Sequence, residues 1–510
     1  MKLLVERCSF WPEGSGSVLI ANGVVERVSP DETQPVPEGT VKLDAAGCTL
    51  LPGLIDSHCH PFELGWLKRN LDLRGTGNIT GLRLRVSAKV LRSAPGEWLV
   101  GMGWDHEAFP ERRFPTRWDI DDVSPNNPVI LGRICGHIAL VNSGAIQALG
   151  LETRTGVEYE RDAGGALTGI IKERAMVEAY ARLPGKSAAL CMSDLSTAEA
   201  EAAKSGLTTL HTIVSPDEFK EELEALAMLR QDGRLTLRHR AYIPPEAIGH
   251  AEEKGFRRKW SDGSLRINGV KIYADGSLGA RTAALREPYT DDPGNVGLLR
   301  YKDEELLRIV VAADSRGYQV IIHAIGDRAI EQAIGALSVV SGGGNPKRHR
   351  IEHASLLPRD LRAKTKKHGI RLAVQPSFIV SDSWARERLG DERVGDLYPL
   401  RSILGDGIIA SGGSDAPVES FSPVVGMWAA MVRAGYGTNE ALDIEEAVTL
   451  YTANGAMNGF DEKAWGVTEG ARADLTLLDS HISGMHPALL RKVAVAATIV
   501  AGNPVYSYLG

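Results

Sequence analysis

The chain has 510 residues, 43% hydrophobic and 24% charged, with 55 glycines, 25 prolines and a formal charge of −7. This is the composition of a globular protein large enough for one big domain plus a smaller one. Its mild acidity gives no support to a nucleic-acid or membrane-surface partner. Five scattered cysteines, Cys8, Cys48, Cys59, Cys135 and Cys191, argue against a disulfide framework and for a reducing compartment. Glu6 interrupts the apolar start, so no secretory signal is expected. No stretch reaches the roughly 20 apolar residues of a bilayer span, and the expected location is the cytoplasm.

In chain order, residues 17–20 and 24–28 flank Asn22-Gly23 and predict a β-hairpin with its favoured two-residue turn. Short strand-like segments recur after residue 472, at 473–479 and 493–500. Neither end is long enough for its own core, which predicts one small β domain built from 1–50 and 460–510. Between them, 51–459 is expected to form the main domain, with a partly β insertion at about 75–170. From residue 172 onward helical and strand segments alternate: helices at 219–230, 304–316, 327–340 and 358–367, strands at 207–211, 235–238, 269–273, 319–323, 349–353 and 371–375. Repeated βα units favour a parallel sheet with helices outside, and their number suits a closed (β/α)8 barrel. An open doubly wound sheet is the rival, but no Gly-rich phosphate loop opens the first unit.

The polar residues fall at telling places. In Asp56-Ser57-His58-Cys59-His60, alternation puts Asp56, His58 and His60 on one face and Cys59 on the other. Lys271 shares a face with Tyr273 and Asp275, and His323, His353 and Asp415 each follow an apolar strand. In a barrel, residues at the C-terminal strand ends converge on one pocket. The expected cluster is therefore His58, His60, Lys271, His323, His353 and Asp415. Its mixed His and carboxylate donors suit zinc first, then manganese, iron or cobalt. Asp56 either orients a ligand imidazole or only ends its strand.

Nine segments, LPGLIDSHCHP, GWDHEAFP, CGHIALVNSGAI, VKIYADGSLGARTA, IHAIGDRAI, RIEHA, SGGSDAPVESFSP, YTANGA and GVTEGARADLTLLD, span nearly the whole chain. Together they resemble the amidohydrolase superfamily, in its amidohydrolase-3 branch with YtcJ-like proteins and N-substituted formamide deformylases. The resemblance implies an α/β fold, a distorted TIM (β/α)8 barrel with an insertion after barrel strand 1 and a β-sandwich made by both termini. It also implies two divalent ions: His58, His60 and Asp415 on the more buried one, His323 and His353 on the other, and Lys271 as an N6-carboxylysine bridge.

The implied reaction is hydrolysis of a non-peptide amide C–N bond, of N-acyl or N-formyl amine type, by metal-bound hydroxide with Asp415 as general base. His137, Asp105 and Arg281 are candidates for oxyanion contacts or pocket lining. Trp66, Trp104, His211 and Tyr273 are candidate pocket residues. The same chemistry would open a lactone or ester or deaminate a cyclic amidine. A non-enzymatic scaffold is disfavoured by the complete ligand set. The expected partner is a small-molecule substrate, and a homodimer is the superfamily's common assembly.

Overall fold

The structure, a computed structural model, describes residues 2–30, 37–133, 137–256, 263–435, 437–462 and 465–509. The chain divides into two compact units, Met1–Phe62 with Cys191–Gly510, and Glu63–Leu190.

The first unit contains eight parallel strands in chain order around a nearly closed barrel: β1 (Leu54–Cys59), β2 (Leu207–Thr212), β3 (Arg238–Ile243), β4 (Leu265–Tyr273), β5 (Gln319–Ala324), β6 (Arg350–His353), β7 (Arg371–Val374) and β8 (Ala410–Gly412). Beyond β8 the chain meets β1 again, because Asp415 N–H donates to His58 O at 2.7 Å and His60 N–H to Ala416 O at 2.8 Å. Glycine is required at that seam: a Cβ on Gly413 would stand 2.7 Å from His58 N. The barrel predicted from strand–helix alternation is the barrel observed.

Helices follow the strands for local reasons. Arg359–Lys367 buries Leu361 and Thr365, four apart, and turns its lysines to solvent. Ile444–Tyr451 begins at Asp443, whose carboxylate accepts from Glu446 N–H at 2.8 Å while Glu446 reaches back to the Asp443 N–H. Among the described residues, no helix is long and apolar enough to cross a membrane.

A second sheet in this unit joins the two ends of the chain. Thr49–Pro52 lies between Lys2–Phe10 and Leu475–Leu478, with Val495–Val500 and Asn503–Ser507 beyond. The expected hairpin is present, and Asn22 and Gly23 both take positive φ, +53° and +78°. Leu3, Val5, Leu50, Leu475 and Ile499 are buried together beneath the sheet. Arg238 of β3 donates through two nitrogens to Asp474, a buried ion pair between barrel and terminal sheet.

The second unit has its own six-stranded sheet, ordered Tyr159–Arg161, Leu167–Lys172, Ile138–Val141, Val129–Arg133, Leu99–Trp104, Leu71–Asp72. One face packs around Trp104, Leu131, Leu140 and Ile170 and the other around Ile130, Val141, Ile146 and Ile171. Of the five cysteines, Cys135 lies outside the described residues, and the other four are buried and form no disulfide among the described residues.

Candidate metal centre

All six residues of β1 are buried, so its alternating side chains must be accommodated inside the barrel. His58 and His60 come from the strand and its exit, and Asp415 from the exit of the neighbouring β8. One ligand atom from each of the three lies within 4.8 Å of the other two. His58 Nε2 stands 3.3 Å from Asp415 Oδ1, and His60 Nε2 stands 3.2 Å from the same oxygen. Asp415 holds a left-handed backbone, φ +56°, as does His353 at +69°. Such strain in non-glycine residues persists where the surroundings over-determine it, commonly at functional sites.

The rest of the cluster closes around these three. Lys271 Nζ is 3.2 Å from His58 Nε2 and 4.6 Å from the Tyr273 ring centre. The His353 ring is 4.8 Å from that of His58 and 4.6 Å from that of His323, centre to centre. Strand register explains the neighbourhood, since Tyr273 sits opposite His323 and His323 opposite Glu352.

Hydrogen bonds fix which ring nitrogen is available. His58 Nδ1 donates to the Glu352 carboxylate, which leaves the Nε2 lone pair facing Asp415. His353 Nδ1 donates to Gln375 Oε1 at 2.7 Å, freeing its Nε2. His323 Nε2 donates to Gly276 O at 3.0 Å, freeing Nδ1. Burial, then the charge of Lys271, lowers the pKa of His58, and burial with neighbouring His323 lowers that of His353 far further. Both imidazoles are thus held neutral, as ligands must be. Burial opposes ionisation of Asp415, but the His58, His60 and His353 rings around it outweigh burial and hold the carboxyl well below the usual range. Burial likewise pulls Lys271 down to about 8, towards the neutral amine.

Imidazole lone pairs and a carboxylate oxygen pointing at one another repel, and a cation between them removes the conflict. This donor set fits a divalent transition metal, zinc among them.

A family model of the amidohydrolase-3 type, described as "Amidohydrolase family", matches residues 42–506. The chain belongs to the amidohydrolase family. It is 30% identical to YtcJ of Bacillus subtilis (strain 168) over 505 residues, covering 96% of this chain and 94% of the relative. It is 26% identical to the N-substituted formamide deformylase of Arthrobacter pascens over 524 residues, covering 97% and 95%. A crystal structure described as an uncharacterized metal-dependent hydrolase from Pyrococcus furiosus superposes with TM-score 0.81 at 30% identity, covering 96% of this chain and 100% of that one.

In this amidohydrolase the carboxylate that orients His58 is not Asp56. Asp56 Oδ1 accepts instead from the backbone N–H groups of His58 and Ser414, both at 3.0 Å, and so splices the β1 and β8 exits. Glu352 takes the orienting role, and sequence reasoning missed it. It is clamped in turn by Arg350, whose Nε donates to Glu352 Oε1 at 2.6 Å and whose NH2 donates to Ser57 O at 2.9 Å. The available signal was Arg350-Ile351-Glu352 itself, two opposite charges on one face of a buried strand, which must pair to be tolerated.

Tyr273 lies at the cluster as expected, 5.6 Å from His323 ring to ring. The two other candidates of this unit, His211 and Arg281, are held by protein partners. His211 is buried against Arg350, Nδ1 to NH1 at 2.9 Å, and does not line the cavity at the strand exits. Arg281 points to Asp291, bonded at 2.7 Å and 3.2 Å. Trp66, Trp104, Asp105 and His137 belong to the other compact unit. There Trp104 is a core residue, 0% exposed, its indole N–H donating to Leu131 O at 2.7 Å. Trp66 packs at the edge of the other core face, with Lys186 Nζ 5.9 Å from its ring centre. Asp105 accepts from Arg133 at 2.8 Å and from Glu107 N–H at 3.3 Å. His137 is 67% exposed and faces Glu173 at 3.2 Å. Cys59 turns away from the ligands as expected, to His211 O, and burial raises its thiol far above the reactive range.

Proposed function

We propose that this amidohydrolase hydrolyses a non-peptide amide C–N bond in a small molecule, an N-acyl or N-formyl amine, at a centre for two divalent ions, zinc foremost. One observation carries the reading: six side chains of metal-binding chemistry meet at the exits of β1, β4, β5, β6 and β8. His58, His60 and Asp415 would hold one ion, His323 and His353 the other, and Lys271 would bridge them as a carbamate. Its burial favours the neutral amine, the form that takes up carbon dioxide. The name of the Arthrobacter pascens relative, an N-substituted formamide deformylase, supports the formyl amine.

Bound divalent ions supply Lewis acidity and acidify water. The chain's own residues do the rest. Glu352 and Gln375 hold His58 and His353 in the tautomers that keep their Nε2 lone pairs available. Asp415, ionised despite its burial, accepts a proton from the attacking water and delivers it to the leaving nitrogen. The water oxygen joins the carbonyl carbon, the C–N bond breaks, and the products are a carboxylic acid and an amine.

Metal analysis of the purified protein, followed by a panel of N-formyl and N-acyl amines, esters, lactones and cyclic amidines, tests this. Amine release that stops on chelation and returns with zinc is expected. Turnover of esters or lactones alone, or ammonia without an acyl product, would reassign the reaction. Asp415→Asn should lower turnover by about 10²–10⁴-fold with much of the metal retained. Near-normal hydrolysis would remove Asp415 as the general base.

A further inference from the structure

At the strand exits lies a cavity of about 320 Å³. It is small among ligand pockets, which run from roughly 300 to 1,000 Å³, so it suits one short substituent rather than a polymer. His323 and Asp415 of the metal cluster form part of its wall. The rest is mostly apolar, with Leu278, Phe378, Trp384 and Val418. Phe378 is stacked on the His353 ring, 4° from parallel, so the apolar wall continues directly from the ligands.

Two of the polar groups in this wall, neither with a part in the proposed chemistry, bear on what it takes. Ser355 is 1% exposed, yet its Oγ has no hydrogen-bond partner among the described residues. A buried hydroxyl without a partner is costly, and one lining a cavity is positioned to meet a ligand. Asp382 is the second. Tyr398 links the two, its N–H donating to Ser355 O at 2.8 Å and its hydroxyl to Asp382 Oδ2. Burial raises Asp382 to about 6, the Tyr398 hydroxyl opposing and Glu419 adding to the rise, so the group is still ionised at pH 7.5.

The geometry points to a charge-selecting subsite: the cavity takes an apolar chain, carried by the scissile amide, that ends in an ammonium group received by Asp382, with Ser355 Oγ bonding the same ligand. The preferred substrate class is thus the mono-acylated diamine, an assignment that rests on the amide-hydrolase reading above.

The probes are N-formylcadaverine and N-formylhexylamine, which differ only in a terminal ammonium against a methyl group. Binding to the metal-loaded full chain is followed by calorimetry, and hydrolysis of each is followed separately. The cationic probe should bind about tenfold or more tighter, as for one charge-assisted contact. Asp382→Asn should bring the two within about twofold. Tyr398→Phe, which leaves the carboxylate in place, should keep the preference, and Ser355→Ala should weaken both by about fivefold. Equal binding in the unmodified protein, no binding of either probe, or a preference that survives Asp382→Asn overturns the subsite. A preference that obeys these expectations while neither probe is hydrolysed leaves the subsite standing and removes the amide-hydrolase reading. Hydrolysis of both without preference does the reverse.

Discussion

Replacing Glu352 with glutamine tests how the metal cluster is held. Glu352 is completely buried between the Arg350 guanidinium and His58 Nδ1. Burial disfavours its charge, but Arg350 first and His58 second more than compensate, so it stays ionised below the usual carboxylate range. Glu352→Gln keeps the shape and removes the charge. Two separable losses follow. Arg350 becomes a buried cation without its anion, which costs about 3–5 kcal/mol of folding stability. His58 loses the acceptor that fixes its tautomer, which lowers metal affinity by about 10–100-fold, or ~1.4–2.7 kcal/mol. Urea unfolding of the apo-protein reads the first loss, and chelator competition under native conditions reads the second. The double variant Arg350→Met/Glu352→Leu separates them, because exchanging a whole buried pair for apolar groups is often neutral in stability. It should recover most of the stability and none of the metal affinity. If Glu352→Gln binds zinc within about threefold of the unmodified protein, the orientation argument is wrong.

Three further outcomes are expected. Lys271→Met should lower bound zinc from two equivalents per chain to one or none by elemental analysis; two retained equivalents would exclude a lysine bridge. Asp461 accepts from Arg240 at 2.6 Å and 2.9 Å, and although burial opposes its ionisation, Arg240 holds the folded-state pKa below the usual range. Its stabilisation is therefore complete above the unfolded value of about 3.9 and fades as pH falls through the depressed folded value. Asp461→Asn should flatten that acid limb in urea titrations from pH 3 to 7, whereas an unchanged limb would show that other carboxylates dominate it. Trp104→Ala should destabilise its unit by about 3–5 kcal/mol and speed its limited proteolysis, as befits a core residue; an unchanged rate of cleavage would show that Trp104 does not hold this core together.

Much of the barrel was legible because its helices and strands repeat with the right periods, and the helix at Asp327–Val340 follows its apolar spacing closely. Strand β3 was not. Apolar content drew the expectation to 235–238, whereas the strand runs Arg238–Ile243. Its first three residues are polar or charged, yet all are buried. Arg238 is paired with Asp474, His239 with Glu199 at 3.1 Å, and Arg240 with Asp461. Two of those partners lie 236 and 221 residues away. A polar strand is recognisable only when the charges that neutralise it are known, and no local window contains them.

The same distinction separates the candidate ligands from the residues around them. His58 and His60 declare themselves through strand alternation, which two or three neighbours determine, and His323, His353 and Asp415 through the edge of an apolar run. Trp104 gave no comparable sign, because a tryptophan serves equally as a pocket wall or as a core residue. What decides is whether its indole N–H meets a ligand or the protein, and here Leu131 O, on the neighbouring strand, accepts it. Glu352 stands between these cases. Its spacing from Arg350 declares a buried pair, but that pair engages Oε2 only weakly and leaves it room to accept again. Oε1 is taken by Arg350 Nε at 2.6 Å, while Oε2 lies beside His58 Nδ1 and 3.4 Å from Arg350 NH2. The carboxylate therefore has an acceptor left over after its charge is balanced, and that surplus acceptor joins a structural ion pair in β6 to His58, the candidate metal ligand of β1.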